Sequence, residues 1–239
     1  MIFVERLQKV IANSGYTSRR NAEKLITEGK VSVNGEIVTE LGTKVNNDDI
    51  ILIDGVEINK EEKKVYFLLN KPRGYISSVK DDKGRNTIVD LIDTDLRIYP
   101  IGRLDYNTTG IILLTNDGEF ANHLMHPRNN IKKTYLAKIE GLLSRDDIIA
   151  LKKGIVIDGR KVDTSNFKIK KKDLEKNVSL VEITLIEGRN HIVKNIFSSL
   201  KHDVIKLTRT SYSFLTLDKL KSGEYRELTL KEVKKLFNE

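Results

Sequence analysis

The stretch from Tyr99 to Gly118, YPIGRLDYNTTGIILLTNDG, constrains the fold most tightly. Ile111 to Leu114 is a short apolar run that ends in Thr115-Asn116-Asp117-Gly118. Its length and composition predict a buried strand closed by a turn. Just before it, Arg103 and Asp105 stand two residues apart in a polar segment between Gly102 and Gly110. A carboxylate and a guanidinium held on a loop against a buried strand can form the edge of an active site. The same residues also suit a plainer role, with Asp105 turning onto the amides after it and Arg103 solvated. This segment alone does not choose between them.

The remaining chain narrows the classes. At 239 residues there is room for one large domain or two smaller ones with a sizeable core. No apolar run approaches the roughly 18 residues that a bilayer span needs. The start, MIFVERLQKV, lacks the basic-then-apolar pattern of an export signal. With no cysteine, disulfides, thiolate nucleophiles and zinc–cysteine sites are excluded, and a cytoplasmic location is expected. The net charge of +8 is unevenly spread, since residues 1–58 hold 7 Lys+Arg against 9 Asp+Glu. The basic excess therefore lies beyond residue 58. Such an excess favours a polyanion, usually nucleic acid, although lysine-rich surfaces also serve solubility alone.

Residues 1–58 read as a small module. Glu5–Ser14 carries Leu7, Val10 and Ile11 at helical spacing, with Gly15 placed to end the helix. Ser18 can cap a second helix, Arg19–Glu28, with Ala22, Leu25 and Ile26 inward. Two β-rich runs around Asn34-Gly35 predict a tight hairpin, and Ile50–Ile53 with Val56–Ile58 continue the β character. Arg19, Arg20 and Lys24 share the outer side of the second helix, a small basic patch suited to phosphates or simply a solvated face. The segment GYTSRRNAEKLITEGKVSVNG resembles, element by element, the RNA-binding domain named after ribosomal protein S-four. That resemblance implies that Arg19, Arg20 and Lys24 face RNA, with Lys9 a weaker candidate.

Asn59–Lys64 reads as a polar linker, and residues 65–239 as a larger domain. Strands are expected at Val65–Leu69, Thr134–Ile139, Val178–Ile186, Val204–Thr208 and Glu227–Leu230. Helices are expected at Glu119–His126, Arg145–Lys153, from the turn Glu187-Gly188-Arg189-Asn190 through Leu200, and from Lys231. Residues 75–87 read as an exposed, mobile, charge-rich loop, and the lysines between Lys168 and Lys176 as a loop between strands. The mixture predicts an α+β protein, in which a helix-helix-hairpin module joins a larger mixed or antiparallel sheet.

Several chemistries drop out. There is no phosphate-binding P-loop, dinucleotide fingerprint or nucleophile elbow, and His123 with His126 has no convincing third metal ligand. What remains is NKPRG at 70–74, GRLDYNTTGIILLTNDG at 102–118, KKTY at 132–135 and EGRNHIVK at 187–194. Together, and in this order, these motifs resemble the rRNA pseudouridine synthases of the RsuA type, which carry the same kind of amino-terminal module. The resemblance implies isomerisation of uridine to pseudouridine in ribosomal RNA, with no cofactor and no metal. Asp105 then matches the catalytic aspartate, Arg103 an arginine that helps displace the target base, and Tyr135 the active-site tyrosine. Lys194 matches a basic residue paired with the aspartate that keeps it ionised. The same resemblance places Lys71, Arg73 and Arg189 among the RNA-binding residues. Ile192 departs from the family, where many relatives carry glutamine. LDYNTTG followed by ANHLMHP points to the 23S, large-subunit branch; a 16S enzyme, or an assembly factor with secondary catalysis, is the alternative. A monomer acting on rRNA or an assembly intermediate, away from membranes, is expected.

Overall fold

The computed structural model describes residues 4–59 and 62–238, which divide into two compact units. One unit takes in the chain up to Val65 with Thr94–Ile98 and Asn116–Gly118. The other holds Tyr66–Asp93, Tyr99–Thr115 and the chain from Glu119 onward.

The first unit begins with β1 (Val4–Arg6), α1 (Leu7–Asn13) and α2 (Arg19–Thr27). Strands β2 (Val31–Val33), β3 (Glu36–Ile37), β4 (Lys44–Asn46), β5 (Ile51–Ile53) and β6 (Val56–Glu57) follow. Ser18 caps α2 as expected, its hydroxyl oxygen accepting from the Asn21 amide at 3.2 Å. Asn34 and Gly35 both take positive φ, +52° and +88°, which the two-residue turn between β2 and β3 requires. Four strands form a sheet in the order β3-β2-β5-β6, while β1 pairs with β4. Leu7, Ile11, Ala22, Ile26, Val31, Ile51 and Ile53 make its core. Leu25, expected inward with Ala22 and Ile26, is only half-buried. Of the expected linker, Lys60 and Glu61 lie outside the described residues. Its end is anchored, since the Asn116 amide donates to Glu62 at 2.9 Å and accepts from the Val65 amide at 3.0 Å.

The second unit opens with β7 (Tyr66–Lys71), β8 (Tyr99–Ile101), β9 (Thr109–Thr115), α3 (Gly118–Met125) and β10 (Lys133–Glu140). Then come α4 (Arg145–Lys153), β11 (Ile155–Ile157), β12 (Arg160–Val162), β13 (Phe167–Asp173) and β14 (Val178–Leu185). The chain closes with α5 (Ile192–Ser199), β15 (Val204–Tyr212), β16 (Leu215–Thr216), β17 (Tyr225–Glu227) and α6 (Leu230–Phe237). Its main sheet runs β13-β14-β10-β15-β9-β7-β17, with β16 beside β15 and β8 beside β9. Every pairing is antiparallel except β9 with β15, which run parallel. Ile111, Leu113 and Leu114 of β9 are completely buried, as the apolar run requires. Ile111 and Leu113 join Leu68, Phe120, Leu124, Tyr212 and Leu236 in one core.

Two local expectations need correction. The lysines after Phe167 lie not in a loop but on β13, an edge strand. Lys168, Lys170, Lys171 and Lys172 are exposed there, and lysine on an edge discourages pairing with other chains. Because one face of such a strand meets solvent and its edge carries charge, apolar alternation is too weak to reveal it. Leu230 begins α6 rather than ending a strand, because Thr229 and Glu232 form a reciprocal capping box. The 75–87 segment is a loop outside any strand or helix, its ends held together by a bridge between Ile76 and Thr87.

Candidate active site

The site depends on how closely β15 approaches β9. Gly110 has φ of +103°, and a Cβ built there would stand 2.2 Å from the Arg209 carbonyl oxygen. Glycine alone lets the two backbones meet in parallel register, with Thr109 opposite Thr208 and Gly110 opposite Arg209. Two segments nearly a hundred residues apart in sequence thereby come side by side. The polar segment after Gly102 turns immediately before β9, the Thr108 amide donating to the Asp105 carbonyl oxygen at 3.0 Å. A backbone turn at Asp105 therefore exists, but the carboxylate is not consumed in making it.

The carboxylate instead meets the start of α5. Lys194 Nζ donates to Asp105 Oδ2 at 2.5 Å, and His191 Nε2 lies 3.2 Å from Oδ1. Asp105 remains about a quarter exposed, so one cation and one imidazole hold it without sealing it off. His191 is the residue before α5 and adopts the left-handed conformation, φ +54°. For a residue with a side chain that conformation is uncommon and carries strain. His191 was not singled out in the sequence, although it sits inside EGRNHIVK. Its signal is conformational and appears only in the folded backbone.

Asp105 lines a cavity of about 680 Å³, within the range of small-molecule and nucleotide pockets. Arg103 is exposed at that cavity, whereas Tyr135 on β10 lines it almost wholly buried. Asp105, Arg103 and Tyr135 thus converge, and Lys194 joins through Asp105. Lys133, Arg209 and Tyr212 line the same space and were not anticipated as site residues. Burial, reinforced by the Arg209 charge, pulls the Lys133 ammonium down to about 8. Burial likewise pushes the Tyr212 phenol up to about 12. Arg209 escapes a sequence reading because strand β15 runs four residues past the expected Thr208, carrying it inward.

The expected RNA-binding residues separate. Lys71 is fully buried, a correction to the expectation that it meets RNA. Its ammonium donates to the carbonyls of Pro72 and Thr108 at 3.1 and 3.0 Å, bracing the segment that carries Asp105. Burial holds that amine down near 8. Arg73 is exposed and donates to Asn107 Oδ1 at 3.1 Å. Arg189 is half-buried, pairing with Glu187 at 2.5 Å and donating to the Ile157 carbonyl at 3.0 Å. It thereby ties the β11–β12 hairpin to the loop before α5. In the other unit Arg19, Arg20 and Lys24 are all exposed on α2. His126 lies one residue past the end of α3, which carries His123. Among the described residues no three His, Asp or Glu side chains converge as metal ligands.

The assembled site offers an accessible carboxylate fixed between basic groups, inside a pocket lined with buried tyrosines, the buried Arg209 and the half-buried Lys133. Such a set can attack, or accept a proton from, a flat polar substrate without a resident metal ligand set. Comparison with known proteins agrees. Residues 65–199 match the family described as RNA pseudouridylate synthase, and residues 5–51 match the S4 domain. The chain is 51% identical to the ribosomal large subunit pseudouridine synthase B of Bacillus subtilis, over 98% of this chain and 96% of that protein. It is 43% identical to an RNA pseudouridine synthase of Aquifex aeolicus, over 97% and 93% of the two chains. A crystal structure of a pseudouridylate synthase superposes with a TM-score of 0.66 at 34% identity, covering 97% of this chain and 99% of that one.

Proposed function

This chain belongs to the RNA pseudouridylate synthase family, and from that premise we propose that it isomerises one uridine of 23S, large-subunit ribosomal RNA with Asp105 as nucleophile. The observation that carries the reading is the Asp105 carboxylate, open to the cavity and held by Lys194 at 2.5 Å. The large-subunit target is taken from the Bacillus relative's described substrate and its 51% identity over nearly all of both chains.

Isomerisation breaks the bond between ribose C1′ and uracil N1 and makes one between C1′ and C5. The proton on C5 is then lost and N1 gains one, so nothing is oxidised and no group is transferred away. A carboxylate splits this step by forming a covalent intermediate. Lys194 holds one carboxylate oxygen of Asp105 by its hydrogen bond, and the His191 contact orients the second. Uridine in a folded RNA must leave its stack to reach a pocket. Arg103, exposed at the cavity, takes the place vacated by the base, while the buried Tyr135 ring supports the flipped uracil.

In this reading residues 1–58 form the RNA-anchoring domain, 59–64 the linker and 65–239 the catalytic domain. Arg19, Arg20 and Lys24 supply phosphate contacts from α2, and Arg73 supplies another from the catalytic domain. The protein acts as a cytoplasmic monomer on rRNA or on an assembly intermediate. Tritium release from carbon-5-labelled uridine in rRNA transcripts tests the proposal, with Asp105→Ala as control. Release by wild type alone, from the large-subunit transcript, is the expected result. Release from small-subunit RNA only would overturn the substrate. Tight binding without release, from both naked RNA and particles, would overturn the chemistry in favour of an assembly factor.

A further inference from the structure

Besides Asp105, the cavity lining includes two cations that the chemistry above does not use, Arg209 and Lys133. Arg209 is 3% exposed. Its Nε donates to the Ile111 carbonyl at 2.6 Å, and its guanidinium stands 5.2 Å from the centre of the Tyr212 ring. Its Nη2 is buried and, among the described residues, has no hydrogen-bond partner. Lys133 Nζ stands 5.2 Å from the same ring and donates to the Ile131 carbonyl at 2.9 Å. Among the described residues neither cation takes part in an ion pair, while Asp105 is engaged by Lys194 and His191. Buried charge without a counter-charge, and a buried donor without an acceptor, are both costly. A deficit of this kind in a native structure calls for an explanation, and in a substrate-sized cavity a ligand that supplies the missing acceptor is one.

We propose that Arg209, with Lys133 beside it, grips the carbonyl oxygens of the target uracil and stabilises the negative charge that the ring carries once its bond to the ribose has broken. This rests on the uridine isomerisation proposed above. When the C1′–N1 bond breaks, its electron pair stays with the base and spreads from N1 onto the carbonyl oxygens. The charge exists only between departure and reattachment, when C5 bonds to C1′, the C5 proton leaves and N1 regains a proton. Donors fixed in a water-poor site before the charge develops act strongly on it and need no reorganisation. The Nε bond to Ile111 and the packing against Tyr212 fix the guanidinium in that way. A backbone phosphate is the poorer occupant. It stays on the ribose chain outside the pocket, where the exposed Arg73 meets it more readily than an arginine 3% exposed.

The test compares Arg209→Met, Arg209→Lys and Lys133→Met with wild type in single-turnover assays at saturating enzyme, using full-length protein. RNA affinity and thermal unfolding are measured alongside. Arg209→Met is expected to slow uridine isomerisation about 10²–10³-fold, the usual loss for one preorganised donor, with RNA Kd within threefold. Arg209→Lys and Lys133→Met are expected to lose less. Transcripts carrying 5-fluorouridine supply a readout that a structural role would not move. Fluorine withdraws electrons, so the detached ring needs less help, and the Arg209→Met defect should shrink at least tenfold. Conversion there is read as loss of the N1-linked nucleoside in chromatographed nuclease digests. Equal defects on both substrates, full activity in folded Arg209→Met, or a raised RNA Kd with an unchanged rate would each overturn the assignment. Should Arg209→Met fail to fold, the same fluorine comparison on Lys133→Met decides. If wild type turns over no uridine, the isomerase reading fails and this inference with it. If wild type is active and the variants behave like it, only this inference fails.

Discussion

Replacing Gly110 by alanine should damage the catalytic unit far more than its small size suggests. An alanine there must keep a φ of +103°, well outside the regions open to residues with a Cβ. That strain costs about 1–3 kcal/mol. The new methyl would also sit 2.2 Å from the Arg209 carbonyl oxygen and 2.8 Å from its amide nitrogen. Both are backbone atoms of a central strand, so relief requires β15 to move off β9. Losing one or two hydrogen bonds between them adds about 1–3 kcal/mol. A total of about 2–6 kcal/mol is a large share of a typical 5–15 kcal/mol stability. For a unit of this size it corresponds to a fall in Tm of roughly 4–24 °C. Gly102→Ala is the matched control, since φ is +74° but nothing lies within 4 Å of a Cβ. There the left-handed backbone alone costs about 1–2 kcal/mol. Differential scanning calorimetry of both variants reads the difference. A Gly110→Ala melting point within about 2 °C of that of Gly102→Ala would refute the argument that backbone contact, rather than φ, makes glycine necessary.

Further outcomes follow from the same geometry. His191→Gly should raise thermal stability by about 0.5–1 kcal/mol through relief of its left-handed backbone, yet slow isomerisation by removing the contact to Asp105 Oδ1; a His191→Gly variant both destabilised and fully active would refute this. Hydrogen bonding to Arg226 first, and to the α6 cap as well, lowers the Glu232 carboxyl from its ordinary 4.5 to about 2. Its contribution is therefore complete above about pH 4.5 and is lost as pH falls through 2, so acid unfolding curves of Glu232→Gln should be flatter across that window. Arg19→Ala/Arg20→Ala should weaken rRNA binding and reduce its salt slope by about 2 while single-turnover rates at saturating enzyme hold; a collapse of those rates would contradict anchoring as the role of the first unit.

Much of the fold was legible because local rules acted alone. Ser18 caps α2 and Asn34-Gly35 turns the first hairpin, since both need only neighbouring residues. The alternation of Val178–Leu185 likewise marks a half-buried strand wherever it lies. The β11–β12 hairpin and the lysine-rich β13 were not legible, because short or edge strands carry little apolar pattern. Lys71 was misread for a related reason. Its sequence says only that it is charged, whereas its burial depends on carbonyls from Pro72 and Thr108 that fold around it.

At the site the same division holds. The motifs alone singled out Asp105, Arg103, Tyr135 and Lys194, because residue identity and order in the chain are enough to recognise them. Only the tertiary structure brought Asp105 within 2.5 Å of a lysine 89 positions later, and drew Arg209 inward against Gly110. It also set His191 in a left-handed turn and left one arginine nitrogen buried without an acceptor among the described residues. Those features depend on strands that meet across the sheet and on which groups lose water when they do. Sequence specifies the residues that can do chemistry, but distance and desolvation, which decide what they do, arise from packing.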